Sequence, residues 1–153
     1  MDGIDTKILK LLEENGRLSH EEIGRLLHIS RPAIHQRVNK LEKQGVIKGY
    51  KGVIDWGKLG QVIKVQIYMK FVSPDFYQTA RRVMEIDIPN VNIEDYYRLA
   101  GEWCMMLKVR ATTPNDVTKF IDELRKISDI KETSTTFILS AIMENGFIEI
   151  NEE

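Results

Sequence analysis

Apolar residues recur every three or four positions through the first 45 residues, a spacing typical of short amphipathic helices. A first helix is predicted over residues 4–14. A second begins at a capping box, in which Ser19 accepts from a backbone amide and Glu22 reaches back. Ser30 is predicted to cap a third helix, which ends before Gly45. The positions expected to face the core are Ile4, Ile8, Leu11, Leu12, Ile23, Leu26, Leu27, Ala33, Ile34, Val38 and Leu41.

The second and third helices are separated by a turn of about three residues, which is the layout of a helix-turn-helix. The third, from Arg31 to Gln44, would be about 21 Å long, enough to lie across a DNA major groove. Residues 25–51 contain seven Lys or Arg side chains and one acidic residue, Glu42. This positive charge favours a polyanion such as double-stranded DNA. The alternative is a three-helix scaffold whose charged exterior only keeps it soluble, since helix-turn-helix geometry is also used for protein docking.

Side chains of the third helix suit two kinds of DNA contact. Arg and Gln near its start can form paired hydrogen bonds with guanine or adenine, whereas the lysines further along can neutralise phosphates. The residues predicted to contact DNA are Ser19, Ser30, Arg31, Pro32, Ala33, His35, Gln36, Arg37, Lys40, Lys43, Lys48 and Lys51.

The second half of the chain changes to strand-like alternation interrupted by two helices, which gives the order βαββαβ. The split-βαβ arrangement folds this order into a four-stranded antiparallel sheet with both helices on one face. The predicted fold class is therefore α+β, a helix-turn-helix domain of winged-helix-like type followed by a ferredoxin-like sandwich. The strands are predicted over residues 62–71, 91–99, 103–111 and 133–143, and the helices begin after Asp75 and Thr113.

A sheet with helices on one face leaves its other face to be covered, which favours pairing with a second copy. About half of the large apolar strand residues must instead fill the core of the monomer, since side chains alternate between faces. The candidates are Tyr68, Tyr97, Trp103, Met105, Leu107 and Phe137.

Several spaced motifs of the first fifty residues resemble the Lrp/AsnC, or feast/famine, transcription regulators. They are Ile4-Asp5-x-x-Ile8-Leu9, Asn15-Gly16-Arg17-x-Ser19, Ile29-Ser30 and Arg37-Val38-x-x-Leu41-Glu42-x-x-Gly45-Val46-Ile47-Lys48-Gly49-Tyr50. The resemblance implies a DNA-binding domain over residues 1–51 with its recognition helix at Ser30 to Gln44, a hinge over 52–60, and a ferredoxin-like dimerisation and effector domain over 61–153. It also implies a homodimer that assembles into tetramers or octamers.

The resemblance further implies an amino-acid effector, bound near a Gly-x-x-Asp turn and a Thr-x-Thr in the last strand. The turn here is Gly101-Glu102-Trp103-Cys104, so the aspartate that would attract an ammonium group is absent. Either Glu102 supplies the charge, or the ligand differs, or no small ligand is used. The candidate effector residues are Gly101, Glu102, Cys104, Thr133 and Thr135.

Other functional classes find little support in the sequence. All three histidines lie within the first 35 residues, which leaves Cys104 without an imidazole partner for catalysis. His28 and His35 could approach one metal, but no supporting ligand spacing is present, so no metal or cofactor site and no enzyme activity are predicted. A small-molecule enzyme of the acylphosphatase kind, using Arg98, would leave the basic first domain unexplained.

The sequence predicts a cytoplasmic protein without a signal peptide or membrane span. It has a single cysteine, no long apolar run and an acidic N-terminus.

The second functional hypothesis keeps DNA binding but changes its purpose. It is an architectural protein that wraps or bridges DNA with little sequence preference and no effector. The ratio of specific to non-specific affinity separates the two.

Overall fold

The computed structural model describes residues 1–149, and the chain divides into two compact units. The first is Met1–Val53 and the second begins at Ile54. The last four residues of the predicted second domain, 150–153, lie outside the described residues. Within residues 1–149, no helix is both long and apolar enough to span a bilayer.

The first unit consists of three helices: α1 (Gly3–Glu14), α2 (His20–Leu27) and α3 (Arg31–Lys43). The three predicted helices are thus confirmed. The capping box of Ser19 and Glu22 is present, whereas Ser30 occupies the N-cap position of α3 without a side-chain hydrogen bond to the helix. The core consists of Ile8, Ile23, Ile34, Val38 and Leu41.

Two predicted core positions of this unit differ in the structure. Leu26 is 53% exposed, because the short helix α2 buries the stripe that contains Ile23 instead. Ala33 is half-buried at the side of α3 and does not pack against the core, unlike the half-buried Ile4, Leu11, Leu12 and Leu27. All regular elements of residues 1–53 are helices, and the segment after α3 folds back so that the amides of Val46 and Ile47 donate to the carbonyl of Leu41.

The turn between α2 and α3 is built around Gly24. His28 takes the left-handed conformation at the end of α2, with φ of 56°, and the amide of Ile29 donates to the Gly24 carbonyl at 2.9 Å. A Cβ at position 24 would lie 2.5 Å from the carbonyl oxygen of Ile29. The absence of a side chain at Gly24 therefore sets how closely the turn approaches α2.

The second unit has the predicted βαββαβ order, followed by a small hairpin. The elements are β1 (Ile63–Phe71), α4 (Phe76–Met84), β2 (Val91–Arg98), β3 (Met105–Ala111), α5 (Pro114–Arg125), β4 (Ile130–Phe137), β5 (Met143–Glu144) and β6 (Phe147–Ile148). The four strands β1 to β4 pair antiparallel in the order β2-β3-β1-β4, as in a ferredoxin-like sandwich. The last strand of the sheet, β4, is therefore shifted from the predicted 133–143, and the chain beyond it pairs with itself.

One face of the sheet packs on α4 and α5. Of the six candidates for the open face, Met105 and Leu107 belong to this core instead. Tyr68 and Trp103 lie on the opposite face, where their ring centroids are 6.3 Å apart. The expected division of the apolar strand residues between the two faces is thus observed.

The open face also carries Met106 and Tyr97, which are in register with Tyr68, and several charged side chains. Glu144 of the terminal hairpin reaches back to Lys64 and Lys108, and Arg110 pairs with Glu94 at 2.7 Å. The Arg110 guanidinium also lies 4.2 Å from the ring centroid of Trp56. Residues 56–59 form a short 3-10 helix, so part of the predicted hinge packs within the second unit.

Candidate DNA interface and effector turn

The outward stripe of α3 carries polar and basic side chains with no partner from the rest of the unit. Ile34, Val38 and Leu41 face the core, so positions 36, 40 and 43 point away from it at helical spacing. Gln36, Lys40 and Lys43 are exposed. With 13 residues, α3 is about 20 Å long, which matches the reach needed along a major groove.

The other predicted DNA contacts lie around this stripe. Arg31 and Pro32 are exposed in the first turn of α3, which begins after the exposed Ser30. Ser19 is exposed at the start of α2, although its hydroxyl is engaged with Glu22. Lys48 and Lys51 are exposed in the segment after α3.

Arg37 has partners within the protein, which sequence reasoning missed. Its guanidinium lies 2.8 Å from a carboxylate oxygen of Asp2 and 2.7 Å from one of Asp5. Asp2 caps α1 by accepting from the amides of Ile4 and Asp5. Arg37 thereby ties α3 to the first turn of α1. Nothing in the sequence spacing of Asp2 and Asp5 identifies a partner 32 or 35 residues away.

The pKa values of the three charged groups shift as expected for paired charges: those of the two carboxylates fall and that of the guanidinium rises. The amide of Asp5, followed by the Arg37 guanidinium, lowers the pKa of Asp2 to about 2. The guanidinium is the main cause of the lowered pKa of Asp5. In return, Asp2 and then Asp5 raise the pKa of Arg37. Two carboxylates thus balance one guanidinium, and this edge of α3 carries no surplus positive charge.

A groove of about 890 Å³ runs between the start of α1 and the outer part of α3. Met1, Asp2 and Asp5 line one side, and the other side includes Gln36 and Lys40. Arg37 and Lys43 also line the groove from α3, so its negative charge is confined to the α1 side, at Asp2 and Asp5.

His35 is exposed on the opposite edge of α3 and contacts α2. Its Nδ1 lies 3.1 Å from Nδ1 of His20, and its Nε2 lies 3.0 Å from the side-chain amide nitrogen of Asn39. The two imidazole centroids are 5.1 Å apart. The sequence suggests His28 as the second imidazole near His35, but His28 ends α2 in a left-handed conformation, and His20, at the start of α2, is the imidazole that contacts His35.

The predicted effector residues lie at one end of the sheet, on both sides of β1. The Cys104 amide donates to the carbonyl of Met69 at 3.1 Å, and Thr133 pairs with Met69 from the other side. The two flanking strands are separated by two strand spacings, about 9.5 Å. The Cys104 sulfur accepts from the amide of Phe71 at 3.1 Å, so it is engaged by the backbone.

Glu102, considered as a substitute for the missing aspartate, is paired with Lys70. The Lys70 ammonium lies 3.3 Å from Glu102, 3.0 Å from Glu132 and 4.7 Å from the ring centroid of Trp103. Lys70 alternates with Met69 on β1 and therefore lies on the open face of the sheet. Thr133 and Thr135 pair with the inward-facing Met69 and Ile67, so the sheet separates the two hydroxyls from Glu102.

Two family models match the chain over most of its length. The one described as winged helix-turn-helix DNA-binding matches residues 1–48, and the one described as Lrp/AsnC ligand binding domain matches residues 65–147. The chain belongs to the Lrp/AsnC family. The resemblance and the fold class predicted from the sequence are thereby confirmed.

Its relatives are transcriptional regulators. LrpC of Bacillus subtilis, an HTH-type transcriptional regulator, is 34% identical over 147 residues, which are 95% of this chain and 97% of LrpC. An uncharacterised HTH-type transcriptional regulator of Pyrococcus furiosus is 30% identical over 145 residues, 95% of this chain and 92% of that protein. This Lrp/AsnC protein is therefore a helix-turn-helix transcriptional regulator with a ligand-binding domain.

Solved structures show the same architecture. The structure of B. subtilis LrpC superposes with a TM-score of 0.80 and covers 94% of this chain and 97% of that one at 34% identity. Escherichia coli AsnC shares the fold with a TM-score of 0.82, 23% identity and coverage of 94% and 95%. A regulator of Neisseria meningitidis, solved as an L-Met complex, shares it with a TM-score of 0.84, 24% identity and coverage of 94% and 93%.

Proposed function

We propose that this Lrp/AsnC protein binds specific double-stranded DNA sites through the outward stripe of α3 and regulates transcription from them. The observation that carries the proposal is the row formed by Gln36, Lys40 and Lys43, which are exposed while the edges of the same helix are engaged by α1 and α2. Ser30, Arg31 and the lysines after α3 extend the basic surface.

The roles within this row can be separated by single substitutions. Lys43→Ala should weaken binding to every sequence by a similar factor and reduce the salt slope by about 1, as expected of a phosphate contact. Gln36→Ala should reduce the free energy of binding to the specific site by about 1–3 kcal/mol and relax the sequence preference at one base pair. Lys10→Ala removes the same charge from α1 and serves as the control. Equal losses for Lys10→Ala and Lys43→Ala would refute the assignment of the interface to α3.

We assign Arg37 to positioning α3 against α1 rather than to a base contact, a change from the expectation drawn from the sequence. Its two ion pairs support this role. Asp5→Asn separates the two possibilities. If Arg37 positions the helix, Asp5→Asn and Arg37→Met both weaken DNA binding. If Arg37 contacts DNA, Asp5→Asn frees its charge and strengthens binding, which would overturn the assignment.

Sequence-specific regulation is distinguished from an architectural role by competition. A specific regulator should prefer its own promoter fragment over random duplex by about 10³ or more. Equal competition by random duplex would favour the architectural protein. Genome-wide occupancy would identify the target sites directly.

We further propose that the chain forms a homodimer that assembles into larger oligomers, and that the last described residues of the second unit form a contact between chains. Leu139 is 96% exposed and Ile148 is 75% exposed, and the residues between them include the exposed Ile142, Met143 and Phe147. An apolar surface of this kind is typical of a contact between chains, and a second copy is the occupant we propose. Leu139→Asp should lower the mass measured by light scattering, and an unchanged mass would contradict this surface.

A dimer of this kind should bind half-sites about 34 Å, or a multiple of that distance, apart along the duplex. We propose residues 52–55 as the hinge between the domains, since residues 56–59 pack within the second unit. A footprint without twofold symmetry would argue against the dimeric arrangement.

The effector class we propose is an amino acid or a related small molecule. The matched ligand-binding domain supports this class, as does the L-Met complex of the Neisseria relative in fold. Because the sheet separates Glu102 from Thr133 and Thr135, a ligand that touches both sets would need a second chain. Thermal-shift screening of the twenty amino acids tests the proposal, since a ligand at 100 times its dissociation constant adds about 2.7 kcal/mol of stability. No response from any of them would reject it.

A further inference from the structure

Two imidazoles from different helices face each other at the surface of the first unit. His20 is the first residue of α2 and His35 lies in the second turn of α3. Their Nδ1 atoms are 3.1 Å apart and their rings are tilted by 50°. His35 is exposed and His20 is partly exposed, so the pair is open to solvent.

The separation of the two Nδ1 atoms suits joint coordination of one metal ion. Imidazole nitrogens bind zinc at about 2.0–2.1 Å. Two nitrogens bound to the same ion are therefore about 2.9 Å apart when the N–Zn–N angle is about 90°, and about 3.3 Å apart when it is tetrahedral. The observed 3.1 Å lies between these values. Imidazole ligands favour Zn²⁺, Cu²⁺ and Ni²⁺ over Mg²⁺ or Ca²⁺.

The outer nitrogen of His35 already has a partner that can orient the ring. Asn39 lies one turn further along α3, with its amide nitrogen 3.0 Å from Nε2 of His35. With a metal at Nδ1, Nε2 carries the proton, and a half-turn of the Asn39 amide presents an oxygen to accept it. Partners of this kind fix the orientation of metal-bound histidines.

We propose that His20 and His35 form a binding site for a divalent transition metal ion that links α2 to α3. Among residues 1–149, no cluster of three or more His, Cys, Asp or Glu ligands is present. Water therefore completes the coordination, and the bound ion remains exchangeable. The site does not depend on the proposed DNA binding, because it consists of two side chains of the free protein.

The test is a titration of the untagged full-length protein, freed of metal by EDTA and dialysis, with Zn²⁺ followed by calorimetry. We expect one ion per chain. His20→Gln and His35→Gln should each weaken binding at least tenfold, and Asn39→Leu should weaken it several-fold. His28→Asn is the matched control, because His28 lies between the two ligands in sequence but contacts neither, and asparagine tolerates its left-handed backbone. It should bind as the wild type does.

Imidazole resonances of the wild-type protein provide a second measurement that needs no variant. Zn²⁺ should shift the ring signals of His20 and His35 and leave those of His28 in place. Equal zinc affinity in the wild type and in His20→Gln, or saturation with zinc without a shift at His20 and His35, would overturn the proposal. Failure to bind DNA would not affect it, since neither measurement includes DNA.

Discussion

Gly24→Ala should destabilise the helix-turn-helix even though it introduces a better helix-forming residue. Replacing Gly by Ala within an exposed helix usually stabilises it by about 1 kcal/mol. At position 24, however, the new Cβ would lie 2.5 Å from the carbonyl oxygen of Ile29, a backbone atom that cannot rotate away. To restore ordinary contact, at about 3.4 Å, the turn between α2 and α3 must move by about 0.9 Å.

The expected size follows from these opposing effects. Overpacking a tight site costs about 1–3 kcal/mol, and a contact this short belongs in the upper part of that range. After the gain in helix propensity is subtracted, a net loss of about 1–2 kcal/mol remains, which is a factor of about 5–30 in the unfolding equilibrium. DNA affinity should fall too, because the same turn sets where α3 begins.

Native-state amide hydrogen exchange measures this loss locally, at the amides of α2 and α3. Gly3→Ala is the control: it lies in the first turn of α1, its Cβ would have no atom within 4 Å, and stability should change by less than about 0.5 kcal/mol. Both tryptophans, Trp56 and Trp103, lie outside residues 1–53, so their fluorescence reports separately on the second unit. Exchange protection equal to or above that of the wild type in Gly24→Ala would refute the reasoning.

Three other predictions concern ion pairs and the core. Asp2 and Asp5 have lowered pKa values, about 2 for Asp2, so the stability they contribute is complete above the unfolded-state pKa of about 3.9 and is lost as the pH falls through their folded values. Arg37→Met should therefore flatten the loss of stability between about pH 4 and pH 2 in urea titrations followed by circular dichroism, and an unchanged slope would contradict the ion-pair assignment. Phe120→Ala removes a fully buried ring between α5 and the sheet, so the free energy of unfolding, followed by tryptophan fluorescence, should fall by about 3–5 kcal/mol. A fall below about 1 kcal/mol would mean that the surrounding side chains close the cavity. Glu144→Gln weakens the ion pairs with Lys64 and Lys108, so amide hydrogen exchange in β5 and β6 should become faster. Unchanged exchange would show that the hairpin is stable without these ion pairs.

The order and type of the main elements could be predicted because their signals are local. The capping box of Ser19 and Glu22 lies within four residues, and Thr113 begins α5 through a capping box of the same kind. Alternation along β1 specifies which residues share a face, and the register to β3 and β4 then follows that alternation. The basic stripe of α3 was found for the same reason, since helical periodicity alone separates Gln36, Lys40 and Lys43 from the core.

The partners of charged and polar groups could not be predicted, because they come from distant parts of the chain. Arg37 reaches carboxylates 32 and 35 residues away, and His35 meets His20 rather than the nearer His28. Periodicity predicts that such residues lie on a helix edge, but it contains no information about which neighbour packs against that edge.

The sequence alone thus determined the helix-turn-helix, the ferredoxin-like sandwich and the family, because periodicity, capping and spaced motifs are properties of neighbouring residues. Only the tertiary structure decided that Arg37 holds α3 to α1, that Met105 and Leu107 face inward, and that Lys70 neutralises Glu102. The physical reason is that charge pairing and the choice of sheet face depend on how separate elements pack, and packing brings together groups that the sequence keeps apart.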